Sequence, residues 1–200
     1  ILINDKSPDE KILPMLNQYK EENKDKNITV LDNEENLGFV KTVNKGMKIS
    51  KNDVILLNSD TEVTKNWLEK IQECAYSNEN IATVTPFTNN GTIFSIPNFG
   101  VDNELPKNMS LEQFAKLVED CSEKRYPQVT TGNGYCMYIK RSVLEKLGFF
   151  DDITFEKGFG EENDFCYRAL DYGYINVLCD NTFIYHKGTQ SFKVENMTQA

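Results

Sequence analysis

Apolar positions along this chain follow two rhythms. Short runs of apolar and β-favouring residues at 1–3, 28–31, 54–57 and 82–85 read as strands, the last of them stopped by Pro86. The run Val54-Ile55-Leu56-Leu57 does not alternate with polar residues, so it reads as a strand covered on both faces in the middle of a parallel sheet. Between these runs the spacing becomes helical. Ser7-Pro8-Asp9-Glu10 has the form of a helix start, with Ser7 as N-cap and Glu10 placed for a capping box. Ile12, Leu13, Leu16 and Tyr19 supply its apolar face, the polar run 20–27 closes it, and Pro14 predicts a kink or a later start. A second helix presents Phe39, Val43 and Met47, with Gly46 inside it, a costly choice unless something approaches closely there. Trp67, Leu68 and Ile71 mark a third. Up to Pro86, strand and helix alternate, the signature of a parallel sheet.

Residues 87–128 break this rhythm with Asn, Gly, Thr and Pro, and hold one predicted helix at 110–119. A long insertion in a compact domain is more often functional than decorative. Residues 130–134 lead into a strand at 135–139 and a short helix at 142–147. A glycine-flanked loop then opens a helix whose predicted buried stripe is Phe165, Ala169 and Tyr172. Two short strands, 175–178 and 183–185, deliver His186. No repeat or linker interrupts the chain.

Length and charge narrow the function. Two hundred residues suffice for one sizeable core. A net charge of -9 argues against nucleic acid or an anionic membrane as a general partner, and an anionic substrate would need a local cation. Five cysteines without CxxC spacing point to free thiols in a reducing compartment, hence a cytoplasmic location. No apolar run approaches a transmembrane length and no signal peptide is recognisable. Residue 1 is already strand-like and is not a methionine, so upstream residues are expected.

Three places could carry chemistry. Asn58-Ser59-Asp60 ends the central strand, and ligands of open α/β sheets collect outside the carboxyl ends of strands. In extended backbone Asn58 and Asp60 point the same way and could hold a hard divalent cation; the same residues also form ordinary turns. Glu161, Glu162 and Asp164 crowd a first helical turn, where acids complement the helix dipole. Three exceed what capping needs, and one could serve as a general base. His186 at a strand end is a candidate transition-metal ligand.

Together these pieces resemble the GT-A glycosyltransferases of family 2, the inverting sugar transferases that use nucleotide-sugar donors. The resemblance runs from residue 1 to about 192, leaving 193–200 as a tail. It implies a single α/β domain with a Rossmann-like, mostly parallel central sheet flanked by helices. Residues 1–86 would form the nucleotide-sugar half and 87–192 a smaller acceptor-side region. The family's first strand, which lines the nucleobase pocket, is absent from this sequence. By resemblance Asp5 takes the place of an aspartate at the nucleobase, and Asn36-Leu37-Gly38-Phe39 that of a turn beside the nucleotide. Asn58-Ser59-Asp60 stands where the family carries its DxD metal motif. With an amide as the first member, Asp60 remains the direct metal ligand, joined by His186, and Asn58 and Ser59 fall to the nucleotide. Gly132-Asn133-Gly134 would lie beneath donor sugar and acceptor. Glu161-Glu162-Asn163-Asp164-Phe165 looks like the acidic motif whose second acid is the base, and Glu161 would also face sugar or acceptor.

The resemblance implies a Mn2+ or Mg2+ cofactor, a nucleotide-sugar donor and a hydroxyl acceptor that is a glycan, lipid-linked sugar or protein. A lipid-linked acceptor would set the domain at the inner face of the membrane. Two rivals stand beside this reading. One is a non-catalytic sugar-nucleotide or glycan-binding module. The other is a nucleotidyltransferase, for which no glycine-rich basic loop is present. At about 100° per residue the three acids fan out around the helix. Glu161, four residues before Phe165, is expected toward the core. Glu162 and Asp164 remain to face ligand, and the resemblance favours Glu162.

Overall fold

The structure, a computed structural model, describes residues 1–188 except Thr92 and Lys157, so the expected domain end at 192 and the tail lie outside the described residues. The chain forms two compact units. The first comprises Ile1–Lys51 and Phe149–Asp164; the second comprises Asn52–Gly148 and the described residues from Phe165.

In the first unit β1 (Leu2–Asn4) and β2 (Val30–Asp32) pair in parallel, Leu2 opposite Val30 and Asn4 opposite Asp32. The helix α1 (Ile12–Glu22) packs on both. It begins later than the sequence signal at Ser7. The Ser7 hydroxyl accepts from Asp9 N–H (3.3 Å) and the Asp9 carboxylate from Lys11 N–H (3.0 Å), so local turns replace the expected capping box. Pro14 thereby falls in the first turn, where its missing N–H leaves no gap. The next helix, α2 (Gly38–Ile49), buries Val40, Asn44 and Met47, whereas Phe39 is exposed. Met47 is buried as the stripe predicts, but Val40 and Asn44 take the places expected of Phe39 and Val43, because an amide, not a hydrocarbon, anchors that turn. Asn44 donates to Phe150 O (2.9 Å) and accepts from Phe150 N (3.1 Å), tying the 149–164 segment to α2. Gly46 has its reason: a Cβ there would lie 3.1 Å from the Ile3 side chain.

The second unit is a six-stranded sheet. Its strands are β3 (Val54–Leu57), β4 (Thr61–Glu62), β5 (Ile81–Thr88), β6 (Gln128–Val129), β7 (Cys136–Ile139) and β8 (Ile175–His186). Their order is β3-β7-β5-β8-β4, with β6 also on β8. The pair β5–β8 is parallel, and β7 runs antiparallel to both β3 and β5. Therefore β3, β5 and β8 share one direction. The expected placement of the 54–57 strand in mid-sheet is corrected: β3 ends the order and Leu57 is exposed. Pro86 does not stop β5. The register against β8 shifts just after it, from Pro86 opposite Cys179 to Phe87 opposite Phe183. The two predicted C-terminal strands are accordingly one, with 180–182 bulged out of register.

Helices α3 (Trp67–Tyr76) and α4 (Leu111–Cys121) pack on β8, and α3 also on β5. Ile71, Cys74 and Ala75 meet Val84, Tyr135 and Val177 in the main core. Each large side chain buried there contributes roughly 1.5–3 kcal/mol. Phe114 and Phe183 stack edge to face at 4.8 Å in a smaller cluster. After α5 (Arg141–Leu147), α6 (Glu161–Asp171) buries Phe165, Cys166 and Ala169. Tyr172, expected on that stripe, is exposed because the helix stops one residue before it. Among the described residues no helix is long and apolar enough to cross a membrane.

Candidate active site

Because β3, β5 and β8 run the same way, their carboxyl ends bring Asn58, Asn89 and His186 to one edge of the second unit. Asn58 N donates to Tyr135 O (2.9 Å), and Thr61 closes the turn by donating its hydroxyl (2.6 Å) and N–H (3.3 Å) to Asn58 O. Pairing of Thr61 with His186 across β4 and β8, and Lys187 N on Asp60 O (2.9 Å), set Asp60 beside the imidazole. Asp60 Oδ1 lies 3.3 Å from His186 Nε2, and Asn58 Nδ2 lies 3.5 Å from the same nitrogen. Ser59 is exposed at the tip of the turn.

The other ring nitrogen, His186 Nδ1, sits 3.1 Å from the main-chain oxygen of Asn90. A carbonyl can only accept, so Nδ1 carries the hydrogen. A neutral ring then turns the lone pair of Nε2 toward a carboxylate oxygen. A proton on Nε2 would make this an ion pair; without it, Nε2 and Asp60 Oδ1 are two acceptors that a metal could bridge, with Asn58 Nδ2 beside them. This is the observation that fits a divalent ion to Asp60 and His186. Among the described residues no group of three or more His, Cys, Asp or Glu converges on a point. The protein would thus supply two ligands, with water and phosphate oxygens for the rest. Tyr135 stacks on the ring (centroids 5.2 Å apart, planes 21°) and limits its rotation.

Gly132-Asn133-Gly134 leads into β7. Gly132 N donates to Cys166 Sγ (3.1 Å) and Asn133 N to the Thr85 hydroxyl (3.2 Å). A Cβ on Gly132 would stand 2.9 Å from that hydroxyl, which explains the glycine.

In the first unit, Asp5 Oδ1 accepts from Asn33 Nδ2 (2.7 Å) and Leu37 N (2.9 Å). The Asn36 side chain accepts from Gly38 N (3.0 Å), and Gly38 has φ +78°, the left-handed region that favours glycine. Two residues of this cluster escaped the sequence reading. Asn33 is buried, and its carbonyl accepts from Lys45 Nζ at 2.6 Å. The position of Asn33 directly after β2 was the available signal; Lys45 had none, because only the packed position of α2 brings it there.

The acids of α6 also belong to the first unit up to Asp164. Gly158, Phe159 and Gly160 all have positive φ, and a Cβ on Gly160 would lie 2.8 Å from the Phe155 ring. Glu161 is 3% exposed, on the core side as the helical spacing requires. Burial and then the neighbouring Glu162 charge push its carboxyl up to about 7. One oxygen of Glu161 and one of Glu162 are buried without a hydrogen-bond partner. Glu162 and Asp164 are both partly exposed.

The mixed α/β architecture is that of the GT-A glycosyltransferases. Two of the solved structures that share it are glycosyltransferases. "GalNAc-T7 with UDP, GalNAc and Mn2+" matches with a TM-score of 0.70 and 18% identity over 92% of this chain and 37% of that one. The mannosyltransferase PcManGT from Pyrobaculum calidifontis, in complex with GDP-Man and Mn2+, gives 0.66 and 13% over 97% of this chain and 50% of that one. The chain thus spans half or less of the length of each. No curated protein sequence matches it significantly. The family model for glycosyl transferase family 2 matches residues 1–148, and the chain belongs to that family.

Proposed function

We propose that this chain acts as an inverting glycosyltransferase, moving a hexose from a nucleoside-diphosphate sugar to a hydroxyl of a glycan, lipid-linked sugar or protein. The observation that carries the reading is the pair of facing acceptors, Asp60 Oδ1 and His186 Nε2, 3.3 Å apart in a family 2 chain. Asp60 and His186 would hold Mn2+ or Mg2+. The bound cation would supply stabilisation of the charge developing on the leaving diphosphate. Asp5, Asn36 and Gly38, with Asn33 behind them, serve the nucleotide, as do Asn58 and Ser59. Gly132, Asn133, Gly134 and Glu161 serve donor sugar and acceptor. Glu162 takes the proton of the acceptor hydroxyl as its oxygen attacks the anomeric carbon and the bond to the diphosphate breaks. A single displacement of this kind inverts the anomeric configuration.

Titration of UDP and GDP with and without Mn2+, on wild type and Asp60→Ala, tests the proposal. Mn2+ should strengthen binding to the wild type, and Asp60→Ala should remove that gain. Equal affinity in all four conditions sinks it. Asn58, an amide where the family has an acid, favours a second reading, a module that binds sugar nucleotide without turnover. Mn2+-dependent binding with no released diphosphate across a panel of sugar nucleotides and acceptors would establish that reading instead.

A further inference from the structure

His186 is the last residue of β8, and its parallel neighbour β5 ends first: the last paired residues are Thr88 and Ile184. Beyond that point a side chain takes over the ladder. Asn89 Oδ1 accepts from His186 N (2.7 Å) and Asn89 Nδ2 donates to His186 O (3.1 Å). A carboxamide has both a donor and an acceptor, so it can close a main chain on both groups as a strand residue would. Asn89 is buried and is itself held. Its main-chain oxygen accepts from Asn103 N (2.9 Å) and Asn103 Nδ2 (3.3 Å). Asn103 Oδ1 in turn accepts from Asn98 N and Nδ2, both at 3.0 Å. This chain of amides lies within the 87–128 insertion. The next residue, Asn90, supplies the oxygen that meets His186 Nδ1. On the far side Gly188, at φ +70°, passes so close that a Cβ would fall 2.2 Å from Asn90 Nδ2.

We infer that Asn89 is the positioning residue for His186. By closing the histidine main chain it sets Nδ1 against the Asn90 oxygen, selects the Nδ1–H form, and turns the Nε2 lone pair toward Asp60. The inference rests on the metal reading of Asp60 and His186 for its purpose, but not for its geometry. Partners behind a ligating histidine typically contribute 10–100-fold in metal affinity, because they fix the ring and its tautomer. The insertion therefore has a task besides shaping the acceptor side: it builds one ligand of the metal site.

The chain has a single histidine, so ring-nitrogen NMR of protein labelled with 15N-histidine reports one residue. Metal-free protein at alkaline pH should show a protonated Nδ1 and a bare Nε2. Asn89→Leu, close in size but without the amide, should mix the two forms or reverse them and weaken Mn2+ binding about 10- to 100-fold. Asn89→Asp keeps the acceptor for His186 N–H but sets a carboxylate oxygen against His186 O, so its pattern should fall between those of wild type and Asn89→Leu. If Asn89→Leu does not fold, Asn103→Ala, which removes the support behind Asn89, should shift the tautomer in the same direction. An unchanged tautomer in a folded Asn89→Leu or Asn103→Ala protein overturns the inference. A tautomer shift in a protein whose wild type binds no Mn2+ upholds the positioning role and refutes the metal reading instead.

Discussion

Asp5 and Asp60 are the same residue type, each beyond the carboxyl end of a strand, yet they are in opposite chemical situations. One oxygen of Asp5 receives two N–H donors from its own unit. Asp60 Oδ1 faces the Nε2 of His186 at 3.3 Å. The first carboxylate is engaged in holding a turn; the second has as its neighbour an imidazole nitrogen that can either donate or accept. The difference teaches that a family position and a site residue are separate matters. Asp5 fixes Asn33 and Leu37 N within its own unit, whereas Asp60 meets a side chain at the end of a distant strand. The three acids in the first turn of α6 also differ, Glu161 being buried and Glu162 and Asp164 partly exposed.

The largest effect should come from that second difference. Glu162→Gln should lower transfer about a hundredfold to ten-thousandfold while leaving donor binding intact, as loss of a general base does. Steady-state rates of Glu162→Gln and Asp164→Asn, set beside donor affinity, decide the assignment. Full activity in Glu162→Gln with a dead Asp164→Asn would move the base to Asp164.

Next comes stability. Asp5→Ala removes the acceptor of Leu37 N–H and one of the two acceptors of Asn33 Nδ2, and should cost roughly 1.5–3 kcal/mol. Asp60→Ala removes one of two facing acceptors and should leave metal-free stability unchanged or raised. Urea unfolding of both variants without divalent metal gives the comparison. Equal losses would mean that Asp60 is as structurally engaged as Asp5.

A pH-dependent effect concerns Glu161. Its carboxyl is raised by burial from an ordinary value of 4.5 to about 7, so the folded state binds the proton more tightly than the unfolded state. Its contribution is fully present below about 4.5 and is lost as pH rises through about 7. Glu161→Gln should therefore flatten the fall of stability across that window. Melting profiles of wild type and variant over the same pH series check it. Parallel profiles would show that Glu161 is ionised without penalty.

The sequence carried the order of elements and the residue types at each strand end, because both are local signals. Val54-Ile55-Leu56-Leu57 announced a strand, Asn58 and Asp60 its ending, and the glycines at 158 and 160 the turn into α6. Strand neighbours were not legible. Nothing local in β7 says that it inserts, reversed, between β3 and β5. Pro86 looked like a stop because a missing N–H matters only where a ladder is in register, and here the register shifts. Within the site, the Asp60–His186 pair joins positions 126 residues apart through the β4–β8 pairing, and family resemblance alone could bring them together beforehand. Asn33, Lys45 and Asn89 were invisible as contributors because an asparagine or lysine acquires its meaning from what packs against it.

The bulge at 180–182 works as slack. The consecutive β5 residues Pro86 and Phe87 pair with Cys179 and Phe183, four apart on β8, so the bulge takes up three residues that the ladder does not count. The facing of residues 183–186 is set by their own partners, Thr88 opposite Ile184 and Thr61 opposite His186, and not by the length of the bulge. A change of length at 180–182 can therefore be absorbed there while His186 keeps its place beside Asp60.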